Sequence, residues 1–286
     1  MTIVLASAQE GPWAVAIDAS NVYWTDFFSG TVTAVPIGGG APTALASGQI
    51  NPCSITVDAT NVYWAAADGV YKAPLSVGAA VRLATGSASS IAVDGTNVYW
   101  TDNGVSSGIG SVNYVPIAGG SVTALATAQS APLAIALDST TVYWVSYGAG
   151  TISSVLKSGG STTVLVTGQH DPTALVVHSG VMYWTTYMGG TVMKANVNGS
   201  SPAQLASGQA GAGTIATDGT NLFWATVSTN PGGSVAPDYV PMLMTLALPS
   251  GTPTLVIDSP ATGLVVDSTN IYWTDTEAGT VSQVAK

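Results

Sequence analysis

The sequence has a single cysteine, Cys53, in 286 residues. One thiol builds neither an internal disulfide framework nor a cysteine-based zinc cluster. Charge is also scarce: 7% of residues are charged, five of them basic and fifteen acidic, for a net charge of −10. Such a chain has no basic stripe to neutralise phosphates, which excludes nucleic acid as a partner. Long apolar runs are missing too. Mean hydropathy is +0.39, yet no run approaches the roughly 18 residues of a transmembrane helix. The apolar residues come in short runs divided by Gly, Ser, Thr and Asp. An outer-membrane barrel would alternate polar and apolar residues, whereas "WAVAID" and "LAIALD" are nearly continuous, as in strands buried on both faces. "MTIVLAS" is too short and lacks the basic start of a secretory signal. Low lysine content and Ser/Thr/Gly richness point to an extracellular, periplasmic or cell-surface protein whose signal lies outside this sequence, with the cytoplasm as the alternative.

What the chain does have is a phrase written seven times, from "DASNVYWTD" at 18–26 to "DSTNIYWTD" at 267–275. Its tryptophans are Trp24, Trp64, Trp100, Trp144, Trp184, Trp224 and Trp273, spaced 40, 36, 44, 40, 40 and 49 residues apart. The step from the turn residue (Asp18, Asp58, Asp94, Asp138, His178, Asp218, Asp267) to the tryptophan is always six. A rigid core with elastic flanks is what a repeated hairpin with variable loops produces. Each unit reads as four strands: A ("VAID"), a "DASN" turn, B ("VYW"), C ("TVTAVP"), a glycine turn, and D ("PTALAS"). Four strands in roughly 40 residues is the pattern of a β-propeller blade.

The expected fold is therefore all-β, a single seven-bladed propeller over residues 1–286 with four antiparallel strands per blade. The first D-like run, Thr2–Ser7, precedes the first A strand, and the chain ends on a C strand, "TVSQVAK". The N-terminal strand should complete the last blade and so remove a free sheet edge.

Three copies read Tyr-Trp-Thr-Asp in full: residues 23–26, 99–102 and 272–275. The pattern resembles the YWTD propeller repeat of the low-density-lipoprotein-receptor family, here in a bacterial-style seven-bladed variant where that family has six blades. The run "GQINPCSITVD" followed by an aromatic pair is also similar to streptogramin-lyase-type and NHL-type propellers. These resemblances imply the fold. The lyase-type propellers rely on His and Glu in channel loops, and this chain has two of each. No catalytic residue is carried over.

The repeated residues read as scaffold: tryptophans as wedges between blades, aspartates as turn formers, His178 as another turn residue. Function must lie where the copies differ. The A–B and C–D turns share one face of a propeller, and the D–A and B–C loops share the other. The nine acids outside the turns (Glu10, Asp26, Asp68, Asp102, Asp171, Asp238, Asp258, Asp275, Glu277) fall in or beside D–A and B–C loops. The five bases (Lys72, Arg82, Lys157, Lys194, Lys286) do not. Six of the nine acids belong to blades 6, 7 and 1, neighbours across the closure, together with Trp13, Phe27 and Phe28. Trp13 aligns with Cys53, Ser89, Leu133, Thr173, Gly213 and Thr262, which predicts a place at the channel mouth. The blade 6 B–C insertion, "STNPGGSVAPDYVP", adds Asp238 and Tyr239; long loops of this kind often carry function.

This patch predicts a non-enzymatic module binding a cationic group: a basic peptide or protein segment, an amine, or a divalent ion such as Ca2+. Tyr147 and Tyr187 recur in "YGAGT" and "YMGGT" on neighbouring blades, which makes a carbohydrate-binding propeller the second reading. A lyase or metal-dependent hydrolase at the channel mouth is the third, with His170-Asp171 and the Asp275/Glu277 pair as its acid–base groups. No cofactor beyond Ca2+ is expected, and the chain is expected to be a monomer.

Overall fold

The computed structural model describes residues 1–76, 78–104, 107–226 and 241–286. They form 28 strands in seven four-stranded antiparallel sheets, with no helix among the described residues. Blade 1 consists of A (Pro12–Ile17), B (Asn21–Asp26), C (Thr31–Pro36) and D (Thr43–Ala46). Blade 7 consists of A (Gly263–Val266), B (Asn270–Asp275) and C (Thr280–Ala285), with Ile3–Ala6 as its outer D strand. The register at the closure pairs Ile3 with Gln283, Val4 with Ser282 and Ala6 with Val281. The ring closes as the strand order predicts.

The Tyr-Trp pair explains why the phrase recurs. Successive residues of a strand point to opposite faces of its sheet. Tyrosine and tryptophan side by side therefore give each blade one aromatic toward either neighbour. Each of the seven apolar clusters joins the tryptophan of one blade to the Tyr, or Phe223, of the blade before it: Trp64 with Tyr23, Trp100 with Tyr63, and so on to Trp24 with Tyr272 across the closure. All seven tryptophans of the phrase are at most 4% exposed, so the column is core.

A second column ties these tryptophans down. Gln9, Gln49, Gln169 and Gln209 lie in D–A loops and Gln129 near the end of the blade 3 D strand (Thr123–Ser130), each 15 residues before a tryptophan whose Nε1 donates to the glutamine Oε1 at 2.8–3.2 Å. Each side-chain amide also donates to the carbonyl two residues earlier, which fixes its orientation. The loop leaving one blade is thereby latched to the core of the next. Gln169→Ala should leave the Trp184 indole N–H buried without this acceptor and cost about 1–3 kcal/mol. Equilibrium denaturation checks this, and an unchanged midpoint would show the latch to be dispensable.

The turn aspartates act as the turn reading expects. Asp18 Oδ1 accepts the backbone N–H groups of Ser20 and Asn21, and Oδ2 accepts the Tyr23 hydroxyl at 2.7 Å. The same clamp recurs from Asp58 to Tyr63, Asp94 to Tyr99, Asp138 to Tyr143 and Asp267 to Tyr272. Blade 6 has Phe223 in place of the tyrosine, and there the Lys286 ammonium meets the Asp218 carboxylate instead. In blade 5 His178 ends strand A, and the turn is made by Ser179 and Gly180, both at positive φ.

The lysines work on this same side. Lys157 Nζ pairs with Asp94 in the preceding blade at 3.0 Å, and Lys286 reaches Asp218 in its preceding blade. Lys72 Nζ donates to the Ile117 carbonyl at 2.7 Å and Lys194 Nζ to that of Pro249 at 2.8 Å, each in the following blade. All four lysines of the chain thus staple neighbouring blades.

Candidate functional site at the central cavity

Residues at or just before the starts of the seven A strands surround a central cavity of about 720 Å3 that opens on the D–A and B–C loop side. Trp13, Cys53, Ser89, Leu133, Thr173, Gly213 and Thr262 all line it, as their alignment predicts. Residues at or just beyond the ends of the B strands complete the wall: Tyr147 of blade 4, Tyr187 of blade 5, and Asp275, Thr276 and Glu277 of blade 7. The sequence separates an acidic seam from a tyrosine pair. The structure brings Trp13, Tyr147, Tyr187, Asp275 and Glu277 around one opening. The alignment places Leu133 here but not Ile135, Leu175 and Ile215, the next large residues two positions along the A strands of blades 4, 5 and 6, which extend the apolar wall.

The seam holds Trp13 in place by its backbone. Thr274 Oγ1 donates to the Trp13 carbonyl at 2.7 Å, and Thr276 Oγ1 to that of Pro12 at 2.6 Å. The indole is 38% exposed. Its ring lies 5.2 Å from Phe27, which meets Phe28 edge-on at 5.4 Å. This row of rings leads outward from the cavity to Phe28, which is largely exposed. Phe28 folds back over Gly11 (φ +82°), where a Cβ would lie 2.4 Å from its ring, so the close approach requires glycine.

Asp275 is buried, and its Oδ1 accepts the Ala278 N–H at 2.9 Å. Burial first, and then the neighbouring charge of Glu277, raise its pKa above the ordinary carboxylate value. Glu277 itself is exposed. Asp171, at positive φ, links the two tyrosines. Its carbonyl accepts the Tyr187 N–H at 2.9 Å, and its carboxylate, after burial, raises the Tyr147 phenol. Asp171 thus positions the tyrosines without lining the cavity.

The remaining predicted residues are placed elsewhere. Asp26, at the same motif position as Asp275, is 2% exposed and does not line the cavity. Its Oδ2 accepts Trp24 Nε1 at 2.9 Å and Thr31 Oγ1 at 3.1 Å, while Oδ1 is buried without a partner. Burial and then the Glu10 charge push its pKa up. Glu10 and Asp258 are exposed on their loops outside the cavity wall. Asp238 and Tyr239 lie outside the described residues. One charge expectation needs correction. The loops carry no base, but the Arg82 guanidinium reaches from a D strand to within 3.6 Å of Asp68 and offsets that acid.

Among the described residues no group of three His, Cys, Asp or Glu is close enough to hold a metal ion. The Cys53 thiol faces the carbonyls of Ala88 and Ala65, and burial pushes its pKa up to about 12, so it is a neutral thiol. His170 is exposed and absent from the cavity wall.

No protein-family model and no curated protein matches the chain. Among solved structures it is similar to virginiamycin B lyase from Staphylococcus aureus, at a TM-score of 0.80 and 13% identity over 100% of this chain and 98% of that one. It is also similar to a chain of a nidogen/laminin complex, at 0.59 and 21% identity over 67% of this chain and 78% of that one. A third likeness is to the calcium-binding protein regucalcin from Agrobacterium tumefaciens, at 0.58 and 16% identity over 78% and 84%. At these identities the likeness shows the fold, a seven-bladed β-propeller. No helix among the described residues is long and apolar enough to cross a membrane.

Proposed function

We propose that the protein is a non-enzymatic binding module that takes a cationic partner at the mouth of its central cavity. The observation that carries this reading is the half-open Trp13 beside Asp275 and Glu277, in a wall that also holds Tyr147 and Tyr187 and, among the described residues, no Lys, Arg or His. An aromatic face attracts a cation through its quadrupole, more strongly as water is excluded. The neighbouring carboxylates add a Coulombic term that the low-dielectric wall strengthens. A neighbour solved in a nidogen/laminin complex supports partner binding as a use of this fold.

The test uses the full chain and an octalysine peptide, with the lysine-acetylated peptide as control. Glu277→Gln and Trp13→Ala should each weaken octalysine binding about tenfold, with melting temperatures close to the parent, because both side chains are solvent-exposed. Binding should also fall with added salt. Equal affinity for the acetylated peptide, or unchanged affinity in both variants, would overturn the reading. Glycan-array binding lost in Tyr147→Ala or Tyr187→Ala would replace it with the carbohydrate reading.

A further inference from the structure

The cavity is not uniformly polar, and its asymmetry carries information beyond charge. Its carboxylates come from blade 7 alone, beside Trp13 of blade 1. Leu133, Ile135 and Tyr147 of blade 4 stand across the ring, with Leu175 and Tyr187 of blade 5 beside them, while Ile215 of blade 6 lies next to the carboxylates. Resting on the cation-binding reading above, we propose that the cavity is a receptor site for a small organic amine with an apolar body. The ammonium sits at Asp275 and Glu277 against Trp13, and the body lies over Leu133, Ile135 and Leu175 toward Tyr147 and Tyr187.

Three observations select this class. The cavity volume, about 720 Å3, lies within the span of small-molecule sites, roughly 300–1,000 Å3. A bare divalent ion would use neither that volume nor the apolar wall, and it would want more oxygen ligands than a carboxylate pair supplies. A purely apolar ligand would leave Asp275 as it is, a buried carboxylate whose charge is poorly solvated and crowded by Glu277. A cation placed between the two carboxylates relieves that cost, whereas a neutral ligand of the same shape does not. The two tyrosines are held by Asp171 from outside the wall, which orders the far end before any ligand arrives.

The experiment is calorimetric titration of the full chain with 2-phenylethylamine, its trimethylammonium analogue and the neutral 2-phenylethanol, with octalysine in parallel. Both cations should bind at least about tenfold more tightly than the alcohol. Glu277→Gln should erase most of that preference while leaving alcohol binding in place, and Leu133→Ala, at a half-buried wall position, should weaken all three ligands alike. Equal binding of amine and alcohol would overturn the charge assignment. A preference unchanged in Glu277→Gln would overturn its placement. If octalysine binds and neither cation does, the small-amine proposal falls and the broader cationic reading stands. If neither class binds, both fall.

Discussion

Removal of residues 1–7 should open the ring and cost more than any single substitution. Strand C of blade 7 would lose its outer partner along the whole register from Ile3 to Ala6. Leu5 and Ala6, 7% and 5% exposed, would leave the cluster that contains Trp24 and Tyr272. Loss of a buried leucine side chain alone costs about 2–5 kcal/mol, and each forfeited ladder bond adds about 1 kcal/mol. At about 2–4 °C per kcal/mol for a chain of this order, the melting temperature should fall by more than about 10 °C, as read by circular dichroism. A truncated chain could fail simply because any deletion harms it. The control is therefore to restore the strand on the other side of the cut, by adding the C–D turn of blade 1 and then "TIVLAS" after Lys286. That graft should recover most of the lost stability. A truncated protein that melts like the parent, or a graft that recovers nothing, would show that the closure does not hold the ring.

The second large effect is expected at Trp64. Its side chain is fully buried, stacks on Tyr71 with ring centroids 5.6 Å apart, donates to Gln49, and packs in the cluster with Tyr23, Val32 and Ile55. Trp64→Ala should cost about 3–5 kcal/mol by equilibrium denaturation, because the blades on either side cannot collapse into the gap without breaking their own ladders. Trp13→Ala is the internal comparison. It removes the same side chain from a site 38% exposed and outside the seven clusters, so its stability cost should be a small fraction of that at Trp64. Equal costs at the two positions would contradict the division of the tryptophans into core and cavity mouth.

That division could be read from the chain because the phrase has a period. A residue that returns at a fixed step from a turn aspartate must serve what all blades share, and Trp13 stands outside that step. The same logic makes the strand order and closure legible. The glutamine latch was equally visible, since Gln49 and Gln169 each precede a tryptophan by 15 residues, but a polar residue in a loop does not announce that it reaches a buried indole. Other features have no local signature. Asp26 and Asp275 occupy one motif position, yet Asp26 is enclosed with Trp24 and Thr31 while Asp275 reaches the cavity wall. Tyr147 and Tyr187 join the seam residues only because a closed ring places blades 4 and 5 across from blade 7. Arg82 reaches Asp68 through the length of its side chain, which strand position does not reveal.

The lysine staples have an electrical result. By drawing every lysine ammonium toward the turn side, they partly cancel the turn aspartates there, while on the loop side Arg82 does the same for one acid. The ring is therefore polarised along its axis. A polarised body in the field of a positively charged polymer or surface feels a torque before it feels contact, over a reach of about 8 Å at physiological ionic strength. It should arrive open end first.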